Sequence, residues 1–206
     1  MKKAFWVFGY GSLMWNPGFV YSEAQRAHLV GYHRSLCIYS HHHRGRREQP
    51  GLVMGLNPGG SCCGMAFYVD KGNAPAAYHY LVKREQVDNT YKEEHIPLQL
   101  AGGAEVEALV FVSDLEHAQF AGDLQAAAIA GIVAPAHGVA GSNRAYVANT
   151  VSALRRLNIH EPKLEEVLQN LLQTENRQKK CLSGNVTGTS TILGNPQPQK
   201  PLFYRR

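Results

Sequence analysis

Strand-like segments crowd the first half of this 206-residue chain and helix-like segments the second, with no regular alternation between the two. A doubly wound parallel sheet needs a helix after each strand, so this segregation predicts an α+β fold on an antiparallel or mixed sheet. Residues 5–8 read as a short apolar strand, 29–39 and 52–56 as further ones, with the polar stretch 40–50 between them. Gly59-Gly60 predicts a turn; after it, 63–69 is apolar with β-branched and aromatic members, and 105–112 is a late strand with part-alternating character.

A helical period enters at 74–84, where Ala74, Ala77, Tyr78 and Leu81 fall at i, i+3, i+4 and i+7. Pro75 sits in the first turn, where its missing N–H costs nothing. Residues 123–133 predict a second helix. Ser142 is a candidate N-cap for a third, running to about Leu157 with Val147, Val151 and Leu154 on one face. Pro162 opens a fourth, with Leu164, Val167, Leu168 and Leu171 on one stripe. Beyond Lys180 the composition turns to Gly, Thr, Asn, Pro and Gln, so the expected organisation is one domain over 1–180 and an extended or surface-wrapping tail over 181–206.

Hydrophobic residues make up 44% of the chain and charged residues 18%, enough for a core and against global disorder. The formal charge of +5 is scattered, with one dense cluster at Arg44, Arg46 and Arg47. A solvated loop, a small anionic ligand or a phosphate backbone would each account for it; the expectation is a small-molecule partner and no nucleic acid. The apolar residues after Met1-Lys2-Lys3 are too few for a signal segment. The nearly uncharged run 124–140 is mostly Ala and Gly and contains Pro135 and His137, which reads as a packed helix rather than a membrane span of about 20 strongly apolar residues. The four cysteines, Cys37, Cys62, Cys63 and Cys181, include no C-x-x-C pair; adjacent Cys62 and Cys63 would point to opposite faces of a strand. Reduced thiols and a cytoplasmic location follow as expectations.

Two features carry chemistry. Gly9-Tyr10-Gly11-Ser12-Leu13-Met14 begins as a dinucleotide-binding loop would, but Met14 occupies the third glycine position and Trp15-Asn16-Pro17-Gly18 is a turn, not a helix. The glycines still let the backbone bend sharply and approach a ligand, and successive amides in such a bend can receive an anion; an ordinary strand-ending turn explains the spacing equally. Glu85 lies eleven residues beyond Ala74, almost three full turns, so at 100° per residue it faces the way the apolar stripe faces, whereas Lys83 and Arg84 point elsewhere. A carboxylate turned inward at a helix C-terminus has two reasons for a raised pKa, lost hydration and the negative end of the helix dipole, and is a candidate general base. A frayed helix end with Glu85 paired on the surface is the alternative. His41-His42-His43 is discounted as a metal site because consecutive residues of a strand cannot converge on one ion. His160-Glu161 is followed by Leu164 where a zinc-protease motif needs its second His, and Gly59-Gly60-Ser61-Cys62-Cys63 is no nucleophile elbow.

Residues 7–19, Val-Phe-Gly-Tyr-Gly-Ser-Leu-Met-Trp-Asn-Pro-Gly-Phe, resemble the signature opening of ChaC-like γ-glutamylcyclotransferases. Gly31-Tyr32-His33-Arg34-Ser35 is similar to the family's glycine-aromatic-x-arginine stretch, Ser40 to Arg44 with Arg46, Pro50 and Gly51 to its basic loop, and Tyr80-Leu81 with Arg84-Glu85 to the helix end that carries its catalytic glutamate. Residues 138–146 resemble its glycine-rich turn before a helix with a tyrosine. Two departures stand out: Gln86-Val87-Asp88-Asn89-Thr90-Tyr91 lacks the glycine pair many relatives have, and Gly138-Val139-Ala140-Gly141 replaces a Gly-Pro-Ser-Gly. The resemblance implies a small mixed β-barrel or sheet with flanking helices. It implies a cofactor-free, metal-free enzyme that cleaves glutathione to 5-oxoproline and cysteinylglycine, with Glu85 as general base. Gly9, Tyr10, Gly11, Ser12, Leu13, Met14, Arg44 and Tyr146 are its expected substrate-binding residues. A sister enzyme for other γ-glutamyl amino acids or amines, or a non-catalytic binding protein of the same fold, are the alternatives.

Overall fold

The first strand, β1 (Phe5–Gly9), buries every residue but Trp6 because it lies between two partners. A computed structural model, which describes residues 3–184, closes the sheet on itself at this strand. With β2 (Glu23–Ser40), β3 (Gly51–Val69), β4 (Tyr91–Leu100) and β5 (Glu105–Ser113) it forms a barrel in the order β1-β3-β2-β4-β5. All pairings are antiparallel except the closing one, where β5 runs parallel to β1. The described residues also form four helices: α1 (Ala74–Glu85), α2 (Ala126–Val133), α3 (Asn143–Arg156) and α4 (Pro162–Gly184). A two-residue ladder of β6 (His137–Gly138) with β7 (Gly141–Ser142) precedes α3. The α+β class and mixed sheet are those the segregated sequence pattern predicts, and the barrel is the one the family resemblance implies.

Side chains alternate faces along a strand, and β1 uses both. Phe5 and Val7 pack with Ala74, Ala77 and Leu81 of α1, together with Phe67, Leu109 and Phe111. Phe8 faces the larger cluster, where Leu29, Leu52, Leu98 and Val110 meet Ile129 and Val133 of α2, Val147, Val151 and Leu154 of α3, and Leu164, Val167 and Leu171 of α4. Each such side chain contributes roughly 1.5–3 kcal/mol on full burial. The apolar stripes read from α1, α3 and α4 are the faces buried here.

Three expectations need correction. Gly59 and Gly60 do not turn the chain back; β3 runs through them. Gly31, Gly59 and Gly60 all have positive φ (92°, 93° and 70°), and the β2–β3 register slips between Val30 and Tyr32, so the pair bends at a bulge without losing its partner. The helix expected from residue 123 starts at Ala126, because Gln125 is extended (ψ 149°) and Asp123 pairs with Lys163 instead. Strand β4 is absent from the sequence reading: Lys92, Glu93, Glu94 and Pro97 hide a strand that pairs fully with β5 but with β2 only at Ala27 and His28.

The chain divides into two units, Met1–Leu172, which holds the barrel, and Gln173–Arg206. The described part of the second unit is the end of α4; residues 185–206, most of the tail expected after Lys180, lie outside the described residues. Among the described residues no helix is long and apolar enough to cross a membrane; the apolar run 124–140 holds α2.

Candidate functional site

Where β1 and β2 leave the barrel and β3 and β4 enter it, a cavity of about 500 Å³ opens. The turn after β1 forms one wall. The chain doubles back so tightly that a Cβ on Gly9 would stand 2.9 Å from Leu13 Cβ. A single 3-10 turn, Ser12–Met14, follows, with Met14 N donating to Gly11 O (3.0 Å) and Asn16 N to Ser12 O (2.8 Å). The Tyr10 carbonyl is fixed by Arg34, whose Nε donates to it at 2.5 Å. Arg34 has a fully enclosed side chain, and its two other nitrogens reach Cys63 O and the Glu161 carboxylate. In a planar trans peptide the carbonyl and the next N–H point opposite ways, so tying Tyr10 O to Arg34 turns the Gly11 N–H away from it.

The end of α1 forms the second wall. Glu85 lies on the stripe of Ala74, Ala77 and Leu81 and lines the cavity, as its periodicity predicts. Its side chain keeps 18% of its surface and sits 3.0 Å from Arg84 Nε. Burial pushes the carboxyl above its ordinary value, and the nearby Arg84 only partly offsets this. Lys83 and Arg84 depart from the helical projection: both line the cavity, since long side chains in a final turn can curl around the helix end. Arg84 Nη1 donates to Asn16 O (2.7 Å), Pro17 O (3.2 Å) and Tyr80 OH (3.0 Å), and Nη2 to Ser12 Oγ (2.8 Å).

Helix α3 supplies the third wall. Ser142 caps it as predicted, its Oγ accepting from Ala145 N at 3.2 Å. One turn apart, Asn143 and Tyr146 serve the peptide groups of β3 as a neighbouring strand would. Asn143 accepts from Leu52 N (2.6 Å) and donates to Leu52 O (2.8 Å), and the Tyr146 hydroxyl accepts from Met54 N (3.0 Å). Two more buried hydroxyls stand nearby, Tyr91 donating to Met54 O and Tyr10 to Phe111 O, each at 2.7 Å. Burial raises all three tyrosine pKa values, with Glu85 adding to the effect, so these groups stay neutral. Tyr10 and Tyr91 spend their protons on carbonyls; the Tyr146 oxygen receives an N–H and keeps its proton for a ligand.

Arg44 completes the site. Its Nη1 donates to Ala140 O (2.5 Å) and Ser142 O (3.4 Å), and the guanidinium lies 5.3 Å from the centre of the Tyr146 ring. Burial lowers its pKa, Tyr146 opposes that, and Arg84 adds to it. Among the described residues no carboxylate pairs with it; its partners are backbone carbonyls and the Tyr146 ring. His43 beside it is half-buried and kept neutral, mainly by burial.

Of the expected site residues, Tyr10, Gly11, Ser12, Leu13, Arg44, Glu85 and Tyr146 meet in one cavity. Gly9 and Met14 stand behind its wall: Gly9 shapes the turn, and Met14 packs on the core with its sulfur 3.9 Å from Arg34. The sequence reading missed Tyr91, which sits on the unrecognised strand β4, and the reach of Arg84. Among the described residues no three His, Cys, Asp or Glu side chains gather to hold a metal ion.

A closed mixed barrel with one mostly enclosed carboxylate, neutral tyrosines and a guanidinium without a carboxylate partner around one cavity defines a small-molecule site suited to an anionic ligand that also carries an amine. The chain belongs to the ChaC-like protein family, whose sequence profile matches residues 5–178. It is 34% identical over 163 residues to the glutathione-specific gamma-glutamylcyclotransferase of Escherichia coli (strain K12), covering 79% of this chain and 71% of that one. The enzyme of the same name from Schizosaccharomyces pombe (strain 972 / ATCC 24843) is 30% identical over 196 residues, 84% of this chain and 96% of that one. Among solved structures, a yeast gamma-glutamyl cyclotransferase specific to glutathione shares the fold with a TM-score of 0.76 at 22% identity, covering 83% of this chain and 96% of that one.

Proposed function

We propose that this protein is a γ-glutamylcyclotransferase that cleaves glutathione to 5-oxoproline and cysteinylglycine. The observation that carries the proposal is the placement of Glu85, a carboxyl raised by burial, on the same cavity as the bent backbone after β1. The names of the Escherichia coli and Schizosaccharomyces pombe relatives support glutathione as the substrate.

The reaction is an internal aminolysis. The α-ammonium of the γ-glutamyl group is mostly charged at neutral pH and must lose a proton before it can attack. Glu85 takes that proton. The freed nitrogen adds to the γ-carbonyl carbon and closes a five-membered ring; the proton held on Glu85 passes to the cysteinyl nitrogen as its bond to that carbon breaks, and the ring nitrogen gives its second proton by way of Glu85 to the departing amine, leaving a neutral lactam and an ammonium. Atoms and charge balance without oxidant, water or cofactor. Amides of residues 10–13 and the Tyr146 hydroxyl meet the glutamyl carboxylate or the developing oxyanion. Arg44, on the cavity wall, receives the terminal carboxylate. Holding the chain folded for attack contributes much of the rate. Free thiols at Cys37, Cys62 and Cys63 suit a reducing compartment, and we place the enzyme in the cytoplasm, without nucleic-acid or membrane partners.

Incubating the protein with glutathione and following products by mass should yield 5-oxoproline and cysteinylglycine in equal amounts. Folded protein that releases neither contradicts the proposal, and faster turnover of γ-glutamyl-alanine would move it to the sister substrate class. Arg44→Gln should raise KM for glutathione about ten- to a hundredfold, the effect of one lost charge-assisted hydrogen bond, with a smaller change in kcat. An unchanged KM would remove Arg44 from substrate binding.

A further inference from the structure

Adjacent residues on a helix project about 100° apart and do not ordinarily touch through their side chains. Arg84 and Glu85 nevertheless meet, Nε to Oε1, at 3.0 Å. The other two nitrogens of the same guanidinium reach Asn16 O, Pro17 O, Ser12 Oγ and Tyr80 OH. One planar group thus spans the end of α1 and the turn after β1, the two walls whose meeting makes the site. A fork of this shape cannot be reproduced by a lysine, which offers a single nitrogen.

We propose that Arg84 is a positioning residue for the reaction: it locks the base-bearing end of α1 to the turn after β1 and keeps the Glu85 carboxylate charged and turned into the cavity. This rests on Glu85 being the base. Among the described residues Arg84 is the ion-pair partner of Glu85. From the other elements, Tyr10, Tyr91 and Tyr146 face it as neutral hydroxyls raised by burial. Arg44, bonded to Ala140 and Ser142, also lines the cavity, and His43, held neutral mainly by burial, reaches the Arg84 backbone. Lys83 and Asp88 line the same cavity with opposite charges. Burial works to protonate Glu85, and Arg84 is the close charge that opposes it.

The sign of the test follows. A base must be deprotonated, so removing the cation raises the pKa of Glu85 further and moves the acid limb of the pH profile upward. Three variants are compared with the wild type by release of 5-oxoproline from glutathione between pH 5 and 9. Arg84→Gln should shift the acid limb of kcat/KM upward by about one pH unit or more, the range expected when a neighbouring opposite charge is lost, and lower kcat at least about tenfold. Arg84→Lys keeps the charge but not the fork, so its acid limb should stay near that of the wild type while kcat/KM falls severalfold. A group that only braced the turn would lower activity in both variants and leave both acid limbs where they were; that result overturns the proposal. If Arg84→Gln does not fold by circular dichroism, Arg84→Lys decides alone, and wild-type kcat/KM in that variant overturns the proposal. Glu85→Gln separates the two layers. Full turnover there rejects the base itself, whereas inactive Glu85→Gln beside an unshifted Arg84→Gln profile rejects only the role of Arg84.

Discussion

Replacing Glu85 by Gln should lower kcat for glutathione by on the order of a thousandfold, within the span that a positioned acid–base group supplies, and leave KM within about threefold. The amide keeps the shape of the side chain and its place beside Arg84, but cannot take the proton from the substrate ammonium or return it to the leaving amine. The effect therefore falls on the transition state rather than on binding. Stability should move the other way. The folded-state pKa of Glu85 is raised, so the ionised form is disfavoured in the native protein relative to the unfolded chain. Its stabilising contribution is full below the unfolded pKa and is lost as pH rises through the raised folded one. Thermal melts should accordingly show the wild type gaining on Glu85→Gln as pH falls from 7 toward 4, and Glu85→Gln at least as stable at pH 7. Near-normal turnover in the variant would remove Glu85 from the chemistry.

Arg34→Ala should produce the largest loss of stability, about 3–5 kcal/mol, because breaking a buried ion pair leaves its partners without compensation. The Arg34 side chain is wholly enclosed and Glu161 only 27% exposed. Truncation strands the Glu161 carboxylate and the carbonyls of Tyr10 and Cys63. At roughly 2–4 °C per kcal/mol for a chain of this size, the melting temperature should drop by about 6–20 °C. Activity should fall with it even at temperatures where the variant is folded, because the Tyr10–Gly11 peptide loses the contact that orients it. A melting temperature within about 2 °C of the wild type would show that this hub is not what holds the turn.

Much of this architecture is legible in local patterns. The stripe of Ala74, Ala77 and Leu81 places Glu85 on the buried face by angle alone, and Ser142 announces α3 by its hydroxyl. What escapes is set by distant partners. Strand β4 carries Lys92, Glu93, Glu94 and Pro97, residues that disfavour a strand until β5 is present to pair with them. Gly59-Gly60 has the composition of a turn, and only Gly31 on the facing strand makes it a bulge. Closure by the parallel β1–β5 contact joins segments about a hundred residues apart, which no window along the chain can see. The same holds for the site. Position 85 follows from periodicity, but Arg84 departs from that periodicity because its acceptors lie in the turn at residues 12–17.

The central claim is that a buried acid at the end of α1 and the bent backbone after β1 act on one bound substrate. A crystal structure of the Glu85→Gln protein soaked with glutathione tests it most directly. The γ-glutamyl amine should lie within about 3.2 Å of the residue 85 side chain, a hydrogen-bonding distance for proton transfer, with the terminal carboxylate on Arg44. Glutathione bound outside this cavity, or its amine turned away from residue 85, would contradict the account.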